Sequence, residues 1–376
     1  MIADQYRLMI QALEPGARLV VASRKPSAGT WPGAGGTLAA PCEAVADAVG
    51  ARSRGMKARA LPRPAAVVRI AAALIVLLAC PPAMGGGLFE WAKLPPIPDE
   101  HGFAGVYAGV IDPAGRPELL VAGGANFPDG PPWENGGKVY HQGMFLLDPG
   151  AGGGWRELSQ QWPEPAAYGM SVGLPDLGGV LCIGGRQADQ AGAGERALES
   201  VRLVRRAGDG LVIEDLPGLP EGRTDGVAAL VGSRVIVVAG ATNKSGDPAA
   251  GMRVLQSALA LDTSRPRENW AWEHLPWPES APGVAARGRM HPVCGVRGGA
   301  FYLFGGRDFA DGSVPDDQAR ERIDGLDFLR DCHALDVGGR KWRRIADLPQ
   351  GLSAAPSTAV PRSEERRVGK ECRSRW

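Results

Sequence analysis

Six side chains able to hold a small polar ligand crowd one stretch of the chain: Asn126, Glu134, Asn135, Lys138, Tyr140 and His141. Together they offer an ammonium, a carboxylate, an imidazole, a phenol and two amides, so both charges and both kinds of hydrogen-bonding group are present. The stretch follows an apolar run ending in a glycine pair, Leu120-Val-Ala-Gly123-Gly124. A loop at the end of a strand is where a ligand mouth is expected. The same residues could equally serve to order a long loop, since Asn favours turns and Tyr140 can pack. Arg186 and Arg307 each directly follow a Gly-Gly. A guanidinium at that place suits a carboxylate ligand, or an ion pair between neighbouring units. Tyr168 precedes a strand-like run and reads as core first and ligand contact second. His291 and His333 have no partner at metal-ligand spacing and read as structural. The acidic stretch from Asp308 to Asp331, with Asp316, Asp317, Glu321 and Asp324, lacks the EF-hand pattern and reads as a solvated insertion.

The elements that must position these groups repeat along the chain. One marker is a Trp or equivalent shortly before a Leu-Pro or similar pair: Trp91, Trp155, Ile213, Trp272 and Trp342, at spacings of 64, 58, 59 and 70. Between them falls an apolar run closed by a glycine pair: Gly123-Gly124, Gly184-Gly185, Gly240-Ala241 and Gly305-Gly306, with Ala241 replacing the second glycine in the third unit. Each unit supplies short strand-like runs such as Gly226–Val231, Arg234–Ala239 and Ser257–Asp262, separated by Gly or Pro turns. That is one four-stranded blade, and the chain reads as an all-β, kelch-type β-propeller. The glycine pair lets the backbone turn where a Cβ would crowd its neighbours, and the tryptophan packs between blades.

Composition agrees with many short strands. There are 54 Gly and 32 Pro among 376 residues, with 44% hydrophobic residues to fill a core. A net charge of +1 gives no general pull towards nucleic acid or anionic membrane. Cys182 and Cys294 sit in strand-like runs and read as small core residues, and no C-x-x-C pair suggests zinc.

Both ends differ in character from the repeat. Residues 70–79 form an uncharged apolar run preceded by Lys57, Arg59, Arg63 and Arg69, the layout of a secretory signal beginning at Met56. The run is too short to span a bilayer. Leu77-Leu78-Ala79-Cys80 also fits a lipobox, with Leu78 a poor match, which would make Cys80 a lipid anchor. The expected organisation is an upstream extension from a mis-assigned start (1–55), a signal peptide (56–87), the propeller (88–361) and a foreign tail (362–376). The protein is then exported, to the periplasm or outside the cell.

Specific motifs narrow the family. Gly102-Phe-Ala-Gly105, Gly123-Gly-Ala-Asn-Phe-Pro128, Glu134-Asn-Gly-Gly-Lys-Val-Tyr-His141, Ala167-Tyr-Gly-Met-Ser-Val172 and Phe304-Gly-Gly-Arg307 follow in this order. They resemble the cyclically permuted N-acetylneuraminate (sialic acid) mutarotase branch of the kelch proteins, over roughly residues 90–361. The resemblance implies six blades, of which about four and a half are present here, so that sequence is expected to be missing at the C-terminal end. It also implies a small acidic sugar as partner, bound at the propeller axis and exchanged between its anomers with no cofactor and no metal. Such exchange needs a base for the anomeric hydroxyl, an acid for the ring oxygen and a cation for the sugar carboxylate. The family's Gly-Glu-x-x-Pro-Gly-x-Arg-Thr segment, its best source of catalytic groups, is absent. Pro220-Glu-Gly-Arg-Thr224 has the wrong spacing and inherits no role, so the catalytic residues stay unassigned. Two other readings are a propeller that only binds glycan or protein and a copper oxidase like galactose oxidase. The latter needs a His/Tyr ligand set, whereas His101, His141, His274, His291 and His333 are scattered.

Overall fold

The computed structural model describes residues 20–21, 92–112, 115–131, 134, 136–150, 152–189, 194–309, 313–314, 326–355 and 357. All of them fall within one of the two compact units of the chain, 1–23 with 91–376, the other unit being 24–90. The expected signal peptide, the tail after 361, Asn135 and most of the upstream extension lie outside the described residues. Within that extension, Val20–Val21 runs parallel to Ala92–Lys93.

Among the described residues the architecture is all-β: four antiparallel, four-stranded meanders, the blades of a propeller. Blade 1 comprises Tyr107–Ile111, Glu118–Ala122, Met144–Leu147 and Arg156–Glu157. Blade 2 comprises Met170–Leu174, Gly179–Ile183, Val201–Ala207 and Gly210–Leu216. Blade 3 runs through Val227–Val231, Arg234–Val238, Ala258–Asp262 and Trp272–Leu275, and blade 4 through Val293–Arg297, Ala300–Phe304, Cys332–Asp336 and Lys341–Ile345.

In blades 2 and 3 the apolar run of the second strand is continuous because these blades are covered on both faces, whereas Ala300–Phe304 of blade 4 alternates. In blade 3, Val235 and Val237 join Leu181 and Leu203 in the core towards blade 2. The intervening Ile236 and Val238 join Phe301 and Leu303 towards blade 4. Side chains of one strand therefore serve two cores by the period of two. The tryptophan marker sits on or beside the outermost strand. The indole N–H groups of Trp155, Trp272 and Trp342 donate to the carbonyls of Pro95, Pro217 and Pro276, the proline of the preceding marker in each case.

The glycine pair behaves as expected in three blades and needs a correction in the third. Its two residues take φ near +60° and +105°: Gly123 and Gly124, Gly184 and Gly185, Gly305 and Gly306. In blade 3 those conformations belong to Ala239 (φ 64°) and Gly240 (φ 103°), so Ala241 lies outside the pair. The departure is at the first position, where a left-handed alanine is tolerated. At the second, a Cβ on Gly240 would stand 2.4 Å from the Thr224 carbonyl oxygen. That second amide also latches blades together, Gly185 donating to Arg223 O and Gly240 to Arg289 O, both at 2.8 Å.

A second set of links joins the inner ends of the blades. Gly105, Tyr168, Asp225 and His291 each stand two residues before their blade's first strand, and all have positive φ. The amide of Tyr168 donates to Gly105 O (2.6 Å), that of Asp225 to Tyr168 O (2.9 Å), that of His291 to Asp225 O (2.7 Å) and that of Ala354 to His291 O (2.9 Å). These residues bring one position from each blade to a common axis.

Candidate functional site

After its second strand each blade adds a short hairpin, which carries side chains to that axis. The hairpins pair Ala125–Asn126 with Val139–Tyr140, Arg186–Ala188 with Glu195–Ala197, Ala241–Asn243 with Met252–Val254, and Arg307–Phe309 with Leu326–Phe328. Single bridges (Ala104 to Ala125, Ala167 to Arg186, Thr224 to Ala241, Met290 to Arg307) fasten each hairpin beside the left-handed residue of its blade. Arg186 and Arg307 thus occupy equivalent places in blades 2 and 4.

Glu195 is the hub of the cluster. Its Oε1 takes Lys138 Nζ at 2.9 Å and a short hydrogen bond from the Tyr140 hydroxyl, and its Oε2 takes Arg186 NH1 at 2.8 Å. Arg186 lies over the Tyr168 ring, 4.4 Å from its centroid, and Lys138 Nζ is 5.5 Å from the same centroid, both within cation–π range. Asn243 steadies the hairpin by donating to Glu195 O (2.8 Å) and accepting from Ala197 N (2.7 Å). Asp225 feels the charges of both Arg186 and Arg307, with its Oδ1 3.2 Å from His291 Nε2 and its Oδ2 taking the Thr224 hydroxyl at 3.0 Å.

Burial would push the Glu195 carboxyl up, but Arg186, Lys138 and the Tyr140 hydrogen bond outweigh it and hold Glu195 below the usual carboxylate range. Asp225 is likewise penalised by burial, yet Arg186, His291 and Arg307 keep it low and ionised. Burial, helped by the neighbouring Arg186, lowers Lys138, making it the weaker cation of the site. Burial and then Glu195 raise Tyr140 against the pull of Arg186, so its phenol stays protonated and donates. Burial pulls His291 down to about 4, with Asp225 opposing and Arg307 and Arg186 adding to the effect, so the imidazole is neutral at pH 7.

The cluster therefore sets three cations, Lys138, Arg186 and Arg307, against two carboxylates, Glu195 and Asp225. These charges lie in a partly buried site where Coulomb attraction is stronger than in water. Guanidinium and ammonium groups are also the partners that an anionic group on a ligand would take.

Of the residues expected from sequence, Lys138, Tyr140, Tyr168, Arg186 and Arg307 come together here. Asn126 and His141 form a separate pair: His141 Nε2 lies 2.7 Å from Asn126 Oδ1, and Asn126 Nδ2 donates to Gly102 O at 3.1 Å. His141 also packs edge-on against Phe103, 5.0 Å between ring centroids. This pair ties the first-blade loop down. Glu134 is exposed on a turn closed by its amide to Pro131 O. Arg223, in the segment denied a catalytic role, is sealed from solvent and spends its guanidinium on Ala239 O (2.7 Å) and Ser257 Oγ (2.6 Å).

Sequence reasoning missed Glu195 and Asp225, and read His291 as structural. Asp225 and His291 were detectable, because they share with Tyr168 the place two residues before a first strand. Nothing local marks Glu195; it reaches Arg186 diagonally across a hairpin. Among the described residues no three His, Cys, Asp or Glu side chains converge as metal ligands would.

No family model matches the chain. Over 120 residues it is 33% identical to the N-acetylneuraminate epimerase of Vibrio vulnificus, covering 28% of this chain and 29% of that protein. Over 118 residues it is 33% identical to the N-acetylneuraminate epimerase of Yersinia pestis, covering 27% of each. The match thus spans under a third of these curated relatives. The solved structure of YjhT is similar with a TM-score of 0.54 at 16% identity, over 72% of this chain and 77% of that one, a likeness of fold. The propeller and the resemblance to N-acetylneuraminate epimerases read from the motifs are both borne out.

Proposed function

We propose that this kelch-type propeller accelerates anomer exchange of N-acetylneuraminate or a related acidic sugar held at the Lys138–Arg186–Arg307 cluster. The observation that carries the reading is the cluster of Arg186 and Lys138 around Glu195 and Tyr140, which sets cations next to groups that can donate and accept protons. A sugar carboxylate would meet Arg186 and Arg307, whose planar forks suit it. The names of the relatives support the substrate class. We place the protein outside the cytoplasm, on the strength of the basic and apolar segment from Met56.

Exchange is measured directly by magnetisation transfer between the anomer resonances of N-acetylneuraminate. Acceleration in proportion to protein concentration is expected; saturable binding with no change in exchange would sink the enzymatic reading. That second outcome would leave a propeller that only binds its sugar, a reading favoured by Glu195 being already engaged by three partners of its own chain.

A further inference from the structure

We infer that His291, oriented by Asp225, is the base that takes the proton from the anomeric hydroxyl in the axial site. The inference rests on the mutarotase reading and adds the group that moves the proton.

The left-handed position before each first strand needs no side chain, since blade 1 fills it with Gly105 and still forms the inter-blade hydrogen bond. Blades 3 and 4 place Asp225 and His291 there, at φ 57° and 48°, despite the backbone cost. The two side chains then face each other. Asp225 is fully sealed, whereas 22% of the His291 side chain is open. Asp225 Oδ1 receives no aligned hydrogen bond and has His291 Nε2 3.2 Å away. A carboxylate on that side favours the tautomer with its proton on Nε2 and leaves the lone pair on Nδ1 for a ligand. Looseness of the contact is usual before a substrate is bound.

The other charges facing His291 are Arg307 and Arg186, from the hairpins of blades 4 and 2. Both depress its basicity, and both are the cations that a sugar carboxylate would neutralise. An acidic ligand would therefore raise the basicity of the imidazole beside it, while a neutral sugar would not.

In the step itself, Nδ1 takes the proton of the anomeric hydroxyl. The electrons of that O–H bond become the second C–O bond of the open-chain carbonyl, and the bond to the ring oxygen breaks with its pair. The ring oxygen takes a proton from water, and the imidazolium returns its proton to the hydroxide left behind. Closure on the other face of the carbonyl reverses the sequence, so no proton is gained or lost overall.

His291→Asn and Asp225→Asn are the variants of choice, because asparagine tolerates the left-handed backbone. His291→Asn should slow exchange by about a hundredfold or more, as loss of a general base does, with affinity for N-acetylneuraminate retained. Asp225→Asn should lower the rate and displace its pH profile. In the unmutated protein, nitrogen NMR of His291 should show its titration midpoint rising with N-acetylneuraminate and staying put with the uncharged methyl ester. Wild-type acceleration retained in His291→Asn, or a midpoint indifferent to the carboxylate, would overturn the base assignment and leave the mutarotase reading standing. Absence of wild-type acceleration would overturn both.

Discussion

The Arg186 guanidinium carbon lies over the Tyr168 ring, 4.4 Å from its centroid, while its NH1 holds Glu195 Oε2 at 2.8 Å. One side chain thus joins the left-handed residue of blade 2 to the hub carboxylate on the same blade's hairpin. Its charge also reaches Asp225 in blade 3.

Stacking and a forked hydrogen-bonding edge are both properties that lysine lacks. Arg186→Lys should therefore weaken binding of an acidic sugar by about tenfold despite keeping the charge. Calorimetric titration checks this. Arg186→Ala should cost more, and should also destabilise the fold by about 3 kcal/mol by breaking a buried pair.

Gly185 combines φ 115° with a Cβ position 2.3 Å from the Tyr107 hydroxyl oxygen and 2.9 Å from Ala167 O. Gly185→Ala should destabilise by at least about 3 kcal/mol, from backbone strain and overpacking together. Gly173, in the first strand of blade 2, has open space where its Cβ would be and no positive φ. Gly173→Ala should be neutral or gain about 0.5 kcal/mol. Urea melts of the pair check whether the glycine pair, rather than glycine content, is what the blade requires.

Arg223 has no exposed surface, and its bonds go to backbone carbonyls and Ser257. Arg223→Ala should lower stability by about 3 kcal/mol by stranding these partners. Protein that remains folded should bind the acidic sugar with unchanged affinity. A large affinity loss with unchanged melting would show instead that this arginine belongs to the ligand site.

Stability should fall on mild acidification. The folded value for His291, about 4, lies below the ordinary histidine value of 6.5, so the unfolded chain takes up its proton first. The stability tied to the neutral imidazole is present above the unfolded value and is lost as pH falls from there through the folded value. Glu195, Asp225 and Asp331 are also held low, so acid destabilises further below the ordinary carboxylate range. Melting temperatures from pH 8 to pH 4 check the slope, and His291→Asn should flatten its upper part.

The repeat was legible because blade geometry leaves a periodic trace: apolar runs buried on both faces, glycines where φ is positive, a tryptophan on the outer strand. Even so, the third glycine pair read one residue late. Gly240-Ala241 looks like the motif, while the backbone conformation belongs to Ala239 and Gly240. Composition cannot distinguish a glycine at +60° from one at +105°.

By itself the sequence determined the all-β class, the order of the four described blades and the family resemblance, and it named five residues that the structure brings together. Those features rest on local spacing or on motifs contiguous in the chain. Only the tertiary structure decided that Glu195 is the hub, that Asp225 and His291 face each other, and that Arg223 is sealed from solvent. Each of these depends on how successive blades pack against one another or on a diagonal contact within a hairpin. The partners lie up to 66 residues apart in the case of Asp225 and His291, and no period along the chain encodes which side chains the ring brings face to face.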